Sequence, residues 1–387
     1  MRFVPPGHPF HGLSESFRTK IASAQNAALD PVMSSAGSLA EAVFEATKLA
    51  IAPQPAWYEQ PSSELADRSF AELVQILLDL LVSQGSPRHA AQHSSVAVAQ
   101  RLHLQRAFAE PDRVVSQIRN KVLGVVGDFP TQASDIECGR NPGDVLDPYI
   151  LAATQYLVCA GDFQKAVSAT VSHKALMIIE GLMGHLHEDV LGEMRGNVRV
   201  PEPTGANKAV LNVLTNPFPG ADLLQVPLAD GDAPKFHQIK SKTGSAKGGD
   251  GERLGLQLAA LRSYYGGEIY YDALIGNTLR GHRSRAAVER VAPGVVVLVG
   301  ESAFRSLTRS AVGPELLLRV YQTAFREVAD TTGYDIEVMT AQIFQTFADK
   351  ATAAGEGYLE AILHDATGGS QEQQDNRHFA SGRTRRV

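Results

Sequence analysis

The sequence predicts an α/β protein, a helix-flanked small mixed β-sheet behind a mostly helical N-terminal module. Three observations carry this. Apolar residues recur at helical spacing from about 38 to 160. One long helical segment then spans about 163 to 195. After Pro201 the period shortens, and strand-like runs alternate with helices in the order helix, two or three strands, helix, strand, helix.

Taken in order, residues 1–37 are rich in Pro, Gly and Ser and read as a flexible arm. The helical module, 38–160, opens with the amphipathic "SLAEAVFEATKLAI". It continues with "SSELADRSFAELVQILLDLLVSQG", which starts on a Ser cap and stops at Gly85. Two further helices follow, each with a proline near its start. A catalytic-type domain is expected over 161–365. Its long helix carries Leu176, Ile179, Met183, Leu186, Val190 and Met194 at three- and four-residue steps, which predicts one buried stripe. "AVLNVL", "ADLLQVPL" and "KFHQIKS" read as strands, with the turn "ADGDAP" joining the last two. A helix, the strand "EIYYDALI" and the apolar strand "GVVVLVG", of buried type, come next, followed by helices to about 363. The polar tail, 366–387, reads as disordered.

The totals bound the function. The chain has 387 residues and a net charge of -6, which argues against indiscriminate coating of nucleic acid and leaves room for a local basic groove. Two cysteines, Cys138 and Cys159, give neither a disulfide framework nor a four-cysteine zinc site. There is no signal-like apolar run and no membrane span, so a cytoplasmic protein with no membrane partner is expected.

Charge is not evenly spread. Of 11 lysines, Lys235, Lys240, Lys242 and Lys247 fall within "PKFHQIKSKTGSAKGG", and no acidic residue lies between Asp232 and Asp250. If the hairpin turns near Gly231 and Asp232, Asp222 lies opposite about position 240 or 241. Gln238 and Lys240, two apart on a strand, share a face towards it. A carboxylate and an amide oxygen are hard ligands that Mg²⁺ accepts, and a lysine beside them can orient a water and offset charge building on phosphorus. Glu180 or Glu188 of the preceding helix can supply a further carboxylate. A salt-bridged surface hairpin is the plainer alternative.

Asp222 with "QIK" at 238–240, behind a glutamate-bearing helix and ahead of a helix and strand, resembles the PD-(D/E)xK nuclease superfamily. Within it the chain is most similar to Mrr-like and type II restriction endonucleases in which glutamine takes the acidic place. The resemblance covers about 165 to 300 and departs from the family pattern at "PGAD" and at Gln238. It implies a sheet of restriction-endonuclease type, with Asp222 and Gln238 as catalytic metal ligands, Glu188 or else Glu180 completing the metal site, and Lys240 as the catalytic lysine. It further implies Mg²⁺, double-stranded DNA as substrate, a homodimer and a cognate methyltransferase as genetic partner. A modification-dependent or repair nuclease is a neighbouring possibility, and a non-catalytic DNA-binding protein is the rival.

Contacts to DNA are expected from Lys242, Ser245 and Lys247 in the Gly/Ser/Lys loop, and from Arg280, His282, Arg283 and Arg285 in "LRGHRSRAAVER". "HLHE" at 185–188 puts only His185 and Glu188 on one helix face. "VGESAF" misses the nucleophile-turn pattern, and the four tyrosines of "YYGGEIYY" default to sheet packing.

Overall fold

The computed structural model describes residues 1–30, 36–51, 62–127, 146–201, 211–242, 251–276, 283–333, 335–355 and 357–367. The side chains of 36–38, 62–63, 242, 283 and 364–367 lie outside that description. The chain forms two compact units, Met1–Asn120 with Met183–Glu327, and Lys121–Leu182 with Val328–Val387. The division cuts across the boundary expected at 160, because the helices up to Asn120 belong with the sheet.

In the first unit the helical layer is α1 (Glu15–Leu29), α2 (Ala36–Thr47), α3 (Ser62–Ala66), α4 (Phe70–Ser83), α5 (Arg88–Ala107) and most of α6 (Pro111–Val126). The single helix read from "SSELADRSFAEL" is two. Ser69 starts α4 afresh with a reciprocal capping box to Glu72, and Gly85 closes it at φ 88°. Leu73, Leu77 and Leu81 of α4 pack with Val98 and Leu102 of α5 in one apolar core.

Of the residues expected as a loose arm, 1–30 are ordered. Pro9–Gly12 is a 3-10 turn, and α1 starts on the Ser14 hydroxyl. Phe10, Phe17 and Ile21 enter the core of the sheet, where Phe10 lies against Phe236 and Tyr265. Gln25 donates to Pro227 O at 2.9 Å from inside that core. The apolar residues of this stretch outweigh its Pro- and Ser-rich composition.

The sheet orders its five strands as in sequence: β1 (Asn197–Arg199), β2 (Leu223–Gln225), β3 (Lys235–Lys242), β4 (Glu268–Ile275) and β5 (Val296–Val299). β1, β2 and β3 are antiparallel, and β3, β4 and β5 are parallel. β3 is the strand where the two patterns meet. The parallel half needs crossovers, supplied by α9 (Gly251–Tyr265) and α10 (Arg283–Val291). Gly251 and Gly255 let these two helices touch, since a Cβ at Gly251 would lie 2.6 Å from Ser284 O.

Three strand expectations are corrected. The described part of "AVLNVL" is a turn, because the Asn212 side chain and carbonyl take the N–H groups of Leu214 and of Thr215 and Asn216. "GVVVLVG" makes β5 an edge strand of intermediate exposure, not a buried one. In the hairpin Leu223 faces His237, which sets Asp222 opposite Gln238 and not opposite 240 or 241. β1 was not expected at all; three residues carry too little pattern.

The long helix, α8 (Phe163–Glu193), follows α7 (Pro148–Ala153) and a π-turn at Thr154–Val158. Its expected stripe is buried only at Leu186, Val190 and Met194; Leu176 and Ile179 are exposed. The N-terminal half buries Phe163, Ala166, Val167 and Val171 instead, with Ile343 and Phe347 of α13 (Ile336–Ala354) and Ile362 of α14 (Tyr358–Thr367), as the core of the second unit. Between the sheet and α13 come α11 (Glu301–Thr308) and α12 (Gly313–Thr332).

Candidate active site

Asp222 sits one residue before β2, where "PFPGAD" turns into the strand through Gly220 at φ 74°. Its backbone continues both ladders: its N–H donates to His237 O at 2.8 Å, and its carbonyl accepts from Val200 N at 3.0 Å. The carboxylate is thereby fixed against β3. Oδ2 accepts from Ile239 N at 2.7 Å and from Gln238 Nε2. Gln238 is buried, and its amide also reaches Ile239 O. Asp222 and Gln238 are therefore in direct contact, on the sheet face that also carries Phe236 and Lys240.

Lys240 lies two residues along that face, partly exposed, opposite Ala273 of β4. Its ammonium has no ion-pair partner among the described residues. Lys235, at the other end of β3, is held by Glu268 at 3.8 Å and lies over the Tyr270 ring.

Of the two helix glutamates, Glu188 falls in the same compact unit as Asp222 and Glu180 in the other. Arg199, which the sequence reading passed over, ties Glu188 to the site. Its guanidinium pairs with Glu188 and with Asp189 at 3.4 Å, and its Nη1 donates to Asp222 O at 2.9 Å. Helix and strand come this close because residue 192 is glycine, where a Cβ would lie 2.5 Å from Arg199 Cβ. The signal was available in sequence: "NVRV" follows two acids and a glycine late in α8.

The opposite sheet face holds a second polar pair, also missed. His237 Nδ1 and Asp272 Oδ2 are 2.7 Å apart, both fully buried, and His237 stacks on Tyr270. Burial pushes the Asp272 carboxyl up, against the opposing pull of His237. Among the described residues neither Asp272 Oδ1 nor His237 Nε2 has a hydrogen-bond partner. Asn197 and Gln225 bond one another on this face and anchor it to the Leu307 carbonyl at 2.8 and 3.0 Å.

The expected DNA contacts are only partly within the described residues. Ser245, Lys247, Arg280 and His282 lie outside them, as do the side chains of Lys242 and Arg283. Arg285 is on α10, paired with Glu289 at 3.0 Å, and Arg290 pairs with Glu252 at 2.8 Å. Cys138 lies outside the described residues, and Cys159 is a half-buried free thiol.

Among the described residues no three His, Cys, Asp or Glu side chains gather as a metal site, and no helix is long and apolar enough to cross a membrane. No family model matches the chain, and no curated protein matches it in sequence.

Proposed function

We propose that the chain is a Mg²⁺-dependent endonuclease of restriction type, acting on double-stranded DNA. The observation that carries this reading is the contact of Asp222 with Gln238 on one sheet face, with Lys240, which has no ion-pair partner among the described residues, two residues further on. It is supported by the order of elements. A helix bearing Glu188, three antiparallel strands, a helix and a parallel strand follow one another as the resemblance implies.

The donor set fits Mg²⁺, which commonly takes one or two carboxylates and fills its remaining positions with water and phosphate oxygen. Asp222 and Gln238 would hold it, and Glu188 would do so only on leaving Arg199. Bound there, the ion supplies positive charge to a phosphodiester oxygen and lowers the pKa of a coordinated water. The chain's own groups do the rest. Gln238 now turns Nε2 to Asp222, so a half-turn of its amide brings Oε1 to that side. Lys240 offsets charge building on the phosphorus and orients the attacking water. Arg199 holds Asp222 through its carbonyl, and thereby holds the hairpin.

One observation favours a rival, a protein that binds DNA without cutting it. Glu188 is already paired with Arg199, which leaves the site one free carboxylate fewer than a nuclease commonly uses. Plasmid nicking with Mg²⁺ separates the two. Lys240→Ala is expected to lower cleavage at least about a hundredfold while leaving DNA binding near wild type. Binding without cleavage by the wild-type chain, over methylated and unmethylated DNA alike, would establish the rival.

A further inference from the structure

Where β3 begins, a cavity of about 420 Å³ lies between the connection after β2 and the last turn of α11. Val226, Pro227 and Leu228 form an apolar side, and Lys235, Arg305 and Arg309 bring positive charge to the wall. Asp232 and Glu268 share that wall. All of these residues belong to the first unit. Lys240 stands five positions along β3 from Lys235, about 17 Å away, so the cavity is separate from the contact of Asp222 with Gln238.

The charges of the wall are engaged, with one exception. Asp232 Oδ2 accepts from the N–H groups of Leu228 and Ala229 at 3.1 and 2.9 Å. Glu268 accepts from the Tyr270 hydroxyl and pairs with Lys235. Arg305 pairs with Glu301 at 2.6 Å. Arg309 is the exception. Among the described residues no carboxylate lies within 4 Å of its guanidinium, whose one hydrogen bond runs from Nη2 to Val226 O at 2.8 Å. Its other nitrogens are not sealed from solvent. Burial lowers this guanidinium from 12.5 to about 10, against the opposing pull of Asp232.

The fold holds this cation in place. Arg309 stands at φ 51° and ψ 36°, the left-handed region in which a helix commonly ends on glycine. A side chain there is strained, and such strain persists where the surroundings over-determine it. Here Arg106, itself paired with Asp67 at 3.0 Å, donates to Arg309 O at 2.9 Å. Gly196 makes room for the guanidinium, since a Cβ at that position would lie 2.9 Å from Nη1. Gln225 Nε2 donates to the carbonyls of Ser306 and Leu307 at 3.0 Å, which offsets the negative end of α11.

A half-buried cation with open donors and no carboxylate beside it suits an oxyanion. The cavity in whose wall it stands falls within the roughly 300–1,000 Å³ of ligand pockets. We propose that this cavity binds a small organic anion, with its carboxylate or phosphate on Arg309 and its carbon skeleton along Val226, Pro227 and Leu228. Arg305 and Lys235 add positive charge to the same wall. The proposal is independent of the nuclease reading.

The test is calorimetric titration of the full chain with inorganic phosphate, acetate and butyrate, at an ionic strength held constant with sodium chloride. At least one of the three should bind, and butyrate more tightly than acetate if the carboxylates do. Phosphate alone, or the carboxylates alone, then names the anionic group. Arg309→Gly keeps the left-handed backbone without strain, and its circular dichroism should match wild type. It should weaken anion binding at least about tenfold, in line with the loss of hydrogen bonds to a charged group. Arg305→Gln, on an exposed side chain, should weaken it roughly two- to fivefold and answers the question should Arg309→Gly not fold. Unchanged binding in the folded variants, or no binding of any of the three anions by the wild type, would overturn the proposal. Displacement of the bound anion by a short DNA duplex would assign the cavity to the phosphate backbone and overturn the small ligand. No arm depends on DNA cleavage, so failure of the nuclease reading leaves this test standing.

Discussion

At the scale of single residues, the site depends on side chains that hold others in place. Arg199 neutralises Glu188 and Asp189 and fastens the carbonyl of Asp222. Arg199→Met takes the guanidinium from Glu188 and Asp189 and one of two donors from the Asp222 carbonyl, and should cost about 2 kcal/mol in chemical denaturation. It should also free Glu188, which gives the variant a changed Mg²⁺ dependence of cleavage. His187 offers a separate handle. Burial lowers it from 6.5 to about 4, and its Nδ1 faces the Tyr321 hydroxyl at 2.9 Å. An unfolded chain takes up this proton near pH 6.5 while the folded one refuses it until near 4. Stability should therefore fall as pH drops through that window, by about 3 kcal/mol at most, and level off below it. His187→Gln should flatten this slope in urea midpoints measured from pH 7 to 4.

Among the elements, the contact of α8 with β1 is the tightest constraint on the site. A Cβ at Gly192 would meet the backbone of Arg199 at 2.8–2.9 Å, which cannot yield as a side-chain tip can. Gly184, on the same helix, faces open space. Gly184→Ala should thus gain about 0.5–1 kcal/mol from helix propensity, and Gly192→Ala should lose about 1–3 kcal/mol to overpacking. Thermal melts of the pair read both signs. This contrast also marks what the sequence made legible. The helices α4 and α5 and strand β3 were readable in outline, because the apolar period lies within each segment. The trio Asp222, Gln238 and Lys240 was readable too, since lysine is scarce and strand alternation is local. Register was not: the 226–234 connection is no two-residue turn, and its length does not dictate pairing. Arg199, the His237–Asp272 pair and the burial of Phe10 and Ile21 all depend on partners far along the chain, which no local pattern displays.

For the whole molecule, two compact units with their own apolar cores predict separable unfolding. Phe347, buried in the second unit, should cost about 3–5 kcal/mol on change to Ala. Calorimetry should show one transition lowered and the other, that of the sheet, nearly unmoved. The N-terminal segment has a consequence in time. His8 bonds the carbonyl of Tyr265 at 3.1 Å across 257 residues, and Phe10 completes the core beneath β3. A ribosome adding roughly 5–20 residues each second needs about 13–50 s to cover that distance. Throughout that interval the core that receives Phe17 and Ile21 lacks Tyr265 and the residues of β4. A helix made early thus waits for a core that is complete only once α9 and β4 have been made.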